Sequence, residues 1–110
     1  MKVVKFGGSS LADAKQIKKV CSIILSDSQR RIVVVSAPGK RYDTDTKVTD
    51  LLIRLAKACQ EGSGVEAALE AVLERYAGIA KDLNLGREIV CTIKNDLISR
   101  MHTNCRNYEM

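Results

Sequence analysis

The sequence has little of what most catalytic motifs require. It contains no tryptophan, one phenylalanine, one proline and a single histidine, His102, among 110 residues. No Ser-His-Asp or Cys-His set can be assembled around that histidine, so the sequence does not predict hydrolysis through an activated nucleophile.

The four cysteines stand singly, and no C-x-x-C pair is present. With one histidine as the only nitrogen ligand, this spacing does not predict a zinc site or any other metal site in the chain. Cys21, Cys59 and Cys91 fall on the apolar faces of helical patterns, where a reduced thiol packs as a small hydrophobe. We expect free, mostly buried thiols.

Long hydrophobic runs are also missing. The longest aliphatic run, Ile32 to Val35, is far shorter than the roughly 20 residues of a membrane span, and the N-terminus lacks the apolar stretch of a secretion signal. We therefore expect a cytoplasmic protein with no membrane partner. The net charge of +5 comes from lysine and arginine clusters without interleaved aromatics, which favours solvated surfaces over a nucleic-acid interface.

The residues that are present predict an α/β fold that starts with a β-α-β unit. Residues 2–6 resemble a short strand. Residues 11–25 carry apolar side chains at helical spacing, after a possible N-cap at Ser10. Residues 32–37 (IVVVSA) are typical of a strand that is buried on both faces of a parallel sheet. The loops that follow the two strands should then be neighbours at one sheet edge.

The rest of the chain predicts helices but no further strand. A polar segment, residues 38–46, is expected to be a mobile loop over a site, and three helical patterns follow it. The sequence predicts two parallel strands and about four helices. Because parallel sheets normally have several strands with both faces covered, this sheet is incomplete. The missing strands must lie in sequence absent here or come from a partner.

Two loops carry candidate binding residues. Lys5, in an apolar strand, precedes Gly7 and Gly8 and a helix start, which would place a cation, close-approaching amides and a helix dipole at one point, as in an anion site. A plainer interpretation is a tight turn with a serine cap. Ser36 and Thr49 offer short hydrogen-bonding side chains at the second loop, although each could simply end a strand or cap a helix.

Three ordered blocks, VVKFGGSSLAD, VVVSAPGK and DTKVTDLL, resemble the start of the aspartate kinases in the amino-acid kinase family. The resemblance implies a three-layer αβα fold, present only as its N-terminal βαβ unit and the following helices. It covers residues 1–100 as the N-terminal part of a kinase domain, and residues 101–110 are predicted to be a divergent tail.

The resemblance implies transfer of the γ-phosphoryl group of ATP, with Mg²⁺, to the side-chain carboxylate of L-aspartate in aspartate-family amino-acid and lysine biosynthesis. Lys5 would be the catalytic residue. That carboxylate is already ionised at neutral pH, so no general base is needed. The residues carried over are, for the nucleotide, Lys5, Phe6, Gly7, Gly8 and Ser9, and, for aspartate, Ser36 and Thr49.

The departures from the family are as informative as the match. The family continues with the rest of the kinase domain, and a glycine and a substrate-binding glutamate are expected where this chain has Met101 and His102. We therefore expect the chain to be inactive alone and to need a homo-oligomer partner or the missing C-terminal half of the kinase. Two alternatives stay open: a non-catalytic nucleotide- or phosphate-binding module, and an interaction fragment with an unpaired sheet edge.

Overall fold

The computed structural model describes residues 1–104. The chain divides into two compact units, Met1–Thr49 and the residues from Asp50 onward. Both are α-helical in part, and the first also contains the sheet, so the fold class is α/β as predicted.

The first unit is the predicted β-α-β unit. Strand β1 spans Lys2–Phe6, a 3-10 helix spans Gly8–Leu11, helix α1 spans Ala14–Leu25 and strand β2 spans Arg30–Val35. The strands pair in parallel, and β2 begins two residues earlier than the apolar pattern suggested. Their carboxyl ends lie at the same sheet edge.

Helix α1 begins later than the sequence suggested. Its N-cap is Asp13, whose carboxylate accepts a hydrogen bond from the Gln16 amide at 2.9 Å, so the prediction of Ser10 as the cap is wrong. Ser10 lies inside the 3-10 helix, where its amide donates to the Gly7 carbonyl at 3.2 Å. Serine and aspartate are both favoured at N-caps, and here the extended backbone at Asp13, with φ −149° and ψ 176°, makes that residue the cap.

The sheet is not buried. All residues of β2 except Arg30 are exposed, including each of its aliphatic side chains, so the prediction of a strand buried on both faces is wrong for this chain. The cause is the small number of strands in the sheet. Within residues 1–104 the sheet has only two strands, so nothing here covers both faces as parallel sheets require.

The second unit is helical. Helix α2 spans Val48–Glu61, with its first two residues in the first unit, helix α3 spans Val65–Asp82 and helix α4 spans Arg87–Asn104. Gly64, before α3, has a φ of 73°, which favours glycine at that turn. The buried residues at the centre of this unit come from all three helices: Leu55, Cys59, Leu69 and Met101.

Helix α4 crosses the predicted boundary between residues 100 and 101. Met101 is buried in the core of the second unit, and the helix continues to Asn104. The division into a kinase part and a divergent tail stays a prediction, and residues 105–110 lie outside the described residues.

The cysteines differ from the prediction. Cys21 and Cys91 are free, as expected, but both are exposed, so the prediction of mostly buried thiols is wrong for these two. Cys59 is fully buried, as expected, but it is disulfide-bonded, so the prediction of a free thiol is wrong there. The prediction for Cys105 lies outside the described residues. Over residues 1–104, none of the helices is long and apolar enough to span a membrane.

Candidate phosphate and acceptor loops

The loops that follow β1 and β2 are in direct contact, as the sequence predicted. We call residues 7–10 the glycine loop and residues 36–39 the serine loop. The Gly39 amide donates to the Gly8 carbonyl at 2.7 Å, and the Ser36 amide donates to the Phe6 carbonyl at 3.2 Å. These two bonds extend the parallel strand pairing into the loops and fix them side by side.

Glycine is required at the crossing point of the two loops for steric reasons. A Cβ atom on Gly39 would lie 2.6 Å from the Gly8 carbonyl carbon and 2.8 Å from the Ser9 nitrogen, both backbone atoms. A Cβ on Gly8 would lie 3.1 Å from the Ala37 oxygen, whereas one on Gly7 would meet nothing within 4 Å. Gly8 and Gly39 therefore serve a close approach of two backbones, which only residues without a side chain permit.

Sequence reasoning missed Gly39 as the partner of Gly8. The signal was available in the Ala-Pro-Gly-Lys block, but only the topology shows which glycine meets which. The contact between Gly8 and Gly39 favours neither the anion site nor the tight turn as the sole role of the glycine pair. Gly8 is used for loop packing, and Gly7 remains sterically open.

The glycine loop presents backbone donors. Within residues 1–104, the amides of Gly8 and Ser9 donate to no carbonyl or side-chain acceptor, and Ser9 is exposed. The amides in the first turn of a helix have no acceptor within the helix, so they are the groups that donate to an anion or to water. The expected dipole of a long helix is not at this point, because α1 begins only at Ala14 and its own cap binds the Gln16 amide. The loop's donors are thus local amides.

Lys5 lies on the strand that leads into these donors. It pairs in register with Val34, two residues before Ser36, so it is near the carboxyl ends of both strands. Lys5 is exposed, although it lies in an apolar strand. The reason is again the two-stranded sheet, which leaves the side of the strand that carries Lys5 uncovered.

The structure places Ser36 and Thr49, the two residues predicted to bind aspartate, in the same loop region. Ser36 begins the serine loop, and the Val48 amide at the start of α2 donates to the Pro38 carbonyl at 2.9 Å. This bond ties the residue before Thr49 to the serine loop. Both Ser36 and Thr49 are exposed, so their hydroxyls are accessible to a ligand.

The segment between β2 and α2 is closed by an ion pair that sequence reasoning missed. Two nitrogens of the Arg41 guanidinium donate to the two carboxylate oxygens of Asp45 at 2.6 and 2.9 Å, and the Arg41 amide donates to the same carboxylate at 3.0 Å. Hydrogen bonding from Arg41 holds the pKa of Asp45 well below its usual range. The segment between β2 and α2 therefore contains a turn that this ion pair closes, and its mobility stays a prediction.

No protein ligand set for a metal ion is present in the described part of the chain. Among residues 1–104, no three histidine, cysteine, aspartate or glutamate side chains converge. Magnesium prefers several oxygen ligands and is commonly held by one or two carboxylates together with substrate phosphates. The described residues therefore do not fit a preformed magnesium site.

Comparison with known proteins matches the whole described chain to one family. The sequence profile of the amino acid kinase family matches residues 1–104. The chain is 54% identical over 110 residues to aspartokinase 3 of Bacillus subtilis and 34% identical over 107 residues to the chloroplastic bifunctional aspartokinase/homoserine dehydrogenase 2 of Arabidopsis thaliana. These matches cover 99% and 96% of this chain.

Solved structures give the same result. The aspartate kinase of Clostridium acetobutylicum superposes with a TM-score of 0.76 at 39% identity over 86% of this chain. Aspartokinase III of Escherichia coli, solved in complex with aspartate and ADP, superposes with a TM-score of 0.66 at 29% identity over 92%. The chain spans about a quarter of these relatives or less: 24% of the Bacillus subtilis protein, 10% of the Arabidopsis protein and 23% and 22% of the two solved chains.

Proposed function

The chain belongs to the amino acid kinase family, and we propose that it supplies the phosphoryl-binding lysine and the acceptor-binding loops of an aspartate kinase. The reaction is transfer of the γ-phosphoryl group of ATP to the side-chain carboxylate of L-aspartate, at the entry to aspartate-family amino-acid biosynthesis. The aspartokinases among its relatives support this branch of the family.

The contact between Gly8 and Gly39 is the observation that carries the proposal. It places a loop with unoccupied amides beside a loop with an exposed serine, at the carboxyl ends of two parallel strands. Ligands of open α/β sheets bind outside these strand ends. A phosphoryl donor at the glycine loop and an acceptor at the serine loop would therefore lie next to each other, as an in-line transfer requires.

Lys5 is the proposed catalytic residue because the reaction brings two anions together. The acceptor carboxylate has an ordinary pKa near ~3.9 and is ionised at neutral pH, so it repels the phosphoryl group that it must attack. A lysine ammonium beside the transferring group offsets this repulsion, most strongly in the transition state. Lys5 precedes the glycine loop by one residue, Phe6.

The remaining roles follow from position. The amides of Gly7, Gly8 and Ser9 would contact the phosphates of ATP, with Phe6 beside them as the last residue of β1. The hydroxyls of Ser36 and Thr49 would hold L-aspartate. Magnesium would arrive on the phosphates of ATP, because the described residues do not form a carboxylate site for it, and none of the steps assigned to this chain depends on it.

A chimera tests the proposal in a complete enzyme. Residues 1–104 of this chain replace the matched stretch of the Bacillus subtilis relative, and aspartate-dependent ADP release is measured with ATP and Mg²⁺. We expect turnover in the chimera and a loss of about 100-fold or more in kcat for Lys5→Ala, because removal of one such charge contact costs roughly 3–4 kcal/mol of transition-state stabilisation.

Lys2→Ala is the matched control on the same strand. Lys2 is exposed and pairs with Asp27 at 2.6 Å, a surface ion pair that should contribute little. The chimera that carries Lys2→Ala should keep near-normal kcat. Normal kcat in Lys5→Ala would refute the role of Lys5, and nucleotide binding without any turnover in the unsubstituted chimera would favour the non-catalytic binding module.

A further inference from the structure

The serine loop and the start of α2 meet at a buried junction. The Gly39 amide donates to the Gly8 carbonyl at 2.7 Å, and the Val48 amide donates to the Pro38 carbonyl at 2.9 Å. Pro38, Gly39 and Val48 are all buried, and Val48 is 0% exposed. The chain leaves this junction after Gly39 and returns to it at Val48, so these two points of the backbone are held together.

A lysine lies on each side of the junction. Lys40 is the first residue after Gly39, and Lys47 is the last residue before Val48. Both lysines are exposed, and among residues 1–104 neither takes part in an ion pair. The junction therefore fixes the backbones of Lys40 and Lys47 near each other, and we call these two residues the lysine pair.

The turn between the two lysines leaves their charge available. Both carboxylate oxygens of Asp45 accept hydrogen bonds from the Arg41 guanidinium, at 2.6 and 2.9 Å, so the charge of Arg41 is offset within the turn. The other acidic residue of segment 36–49, Asp43, is exposed. The segment has three basic and two acidic residues, so it keeps a net positive charge that attracts anions.

The proposed acceptor has a charge that the hydroxyls cannot balance. L-aspartate carries two carboxylates: the side-chain carboxylate attacks the phosphoryl group, and the α-carboxylate stays ionised throughout. Ser36 and Thr49 can donate hydrogen bonds, but their hydroxyls are neutral. The lysine pair lies on the segment that joins these two residues, and a flexible four-carbon stem carries each ammonium away from the backbone. Ammonium donors form roughly twice as strong a hydrogen bond to a carboxylate as neutral donors do.

We propose that the ammonium groups of Lys40 and Lys47 bind the α-carboxylate of the acceptor and so select an amino acid that carries this second negative charge. The identity of the acceptor rests on the proposed function. The role is one of specificity, because the α-carboxylate takes no part in the bond changes of the transfer. The lysine pair should therefore act on acceptor affinity and leave the chemical step unchanged.

Nuclear magnetic resonance titration of the 110-residue chain tests this binding without requiring turnover. The ¹⁵N-labelled chain is titrated at constant ionic strength with L-aspartate, and separately with L-isoasparagine, in which the α-carboxylate is an amide and the side-chain carboxylate is retained. The amide resonances of Gly39 and Val48 report binding at the junction. We expect saturable shifts with both ligands and a Kd at least fivefold higher for L-isoasparagine.

A double substitution locates the charges. Lys40→Met with Lys47→Met keeps most of the length of both side chains and removes both charges. We expect it to raise the Kd for L-aspartate about fivefold and to leave the Kd for L-isoasparagine unchanged. Lys19→Met, at an exposed position of α1, is the matched control and should change neither Kd. All three lysines are exposed, so amide resonances remote from each substitution should match those of the parent chain.

Three outcomes would overturn the inference. The first is an absence of saturable L-aspartate binding at Gly39 and Val48. The second is equal affinity of the parent chain for the two ligands, or an equal loss of affinity for both in the double variant. The third is a double variant that binds ATP more weakly but L-aspartate normally, which would assign the lysine pair to the phosphates. A preference for L-aspartate that the double variant loses, in the absence of turnover by the chimera, would uphold the inference and count against the proposed function alone.

Discussion

At the scale of single residues, the proposed site depends on two backbones that approach more closely than side chains would allow. Gly8 and Gly39 belong to different loops and are joined by a 2.7 Å hydrogen bond. Interiors packed this closely do not absorb an added methyl group without displacement. The relative position of the two loops is therefore set by glycine rather than by any interaction between side chains.

Gly39→Ala should separate the loops. The new Cβ would lie 2.6 Å from a backbone carbon of Gly8, so one loop must move. We expect the free energy of unfolding, measured by urea denaturation, to fall by about 1–3 kcal/mol, the usual cost of overpacking. Gly7→Ala is the control, since its Cβ meets nothing within 4 Å and its φ of −78° suits alanine. Equal losses in the two variants would contradict the steric account.

Ser36→Ala and Thr49→Ala should weaken aspartate binding in the chimera. If each hydroxyl contributes one hydrogen bond of roughly 0.5–1.5 kcal/mol in ground and transition states alike, KM for aspartate should rise about two- to tenfold while kcat changes little. KM for ATP should stay nearly constant. Thr92→Ala, in α4, is the control, because that hydroxyl donates to the Glu88 carbonyl at 2.8 Å. A rise in KM for ATP alone would assign these loops to the nucleotide.

At the scale of elements, the connection between β2 and α2 contains a turn closed by an ion pair. The Asp45 side chain is only 7% exposed and receives both guanidinium and amide donors of Arg41. Arg41 also lies over the Tyr42 ring, 5.6 Å from its centroid. This geometry holds the segment between the serine loop and Thr49 in one arrangement, which helps to place the two proposed acceptor residues.

Asp45→Asn should destabilise the chain in a pH-dependent way. The pKa of Asp45 is lower in the folded than in the unfolded protein, so its ionised form stabilises the fold above the unfolded value of about 4. That contribution is lost as the pH falls through the lower folded value. The difference in unfolding free energy between parent and variant should be constant from about pH 5 to 8 and shrink below about pH 4.

Urea denaturation at pH 7 and at pH 3 measures this difference. Asp43→Asn, at an exposed position of the same turn, is the control and should change stability little at either pH. A difference for Asp45→Asn that is equally large at the two pH values would show that the carboxylate acts through packing and not through its charge.

The same elements show what the sequence could and could not predict. Within residues 1–104, periodicity predicts both strands and the four α-helices, because apolar spacing reports which face of an element is buried in the complete fold. It failed on the cap of α1, where Ser10 and Asp13 are both acceptable and only backbone geometry decides. It failed on the burial of Ile32 to Val35, because a pattern reports the environment for which a strand is suited rather than the one that this chain provides.

The sequence likewise predicts only part of the candidate site. Adjacent loops follow from parallel topology, so the sequence predicts that the loops of Gly8 and Ser36 are neighbours, as the structure shows. The Gly8–Gly39 contact and the Arg41–Asp45 pair depend on the path of the loop backbone, which no periodic signal encodes. Both become visible only when the two strand ends are placed side by side.

At the scale of the whole molecule, we propose that this chain carries part of an active site. It spans 24% of the Bacillus subtilis aspartokinase, and its described residues supply the lysine, the glycine loop and the serine loop. Phosphoryl transfer depends mainly on positioning and charge stabilisation, so a site that lacks its other groups should lose most of its advantage over water. The exposed aliphatic residues of β2 are consistent with a chain that requires further structure.

The most direct test compares aspartate-dependent ADP release by the 110-residue chain and by the chimera, side by side at equal concentration with ATP and Mg²⁺. The account predicts no detectable turnover from the chain alone and turnover from the chimera that disappears in Lys5→Ala. Turnover by the chain alone that is lost in its own Lys5→Ala variant would show a complete catalyst. A folded but inactive chimera would contradict the assignment to an aspartate kinase.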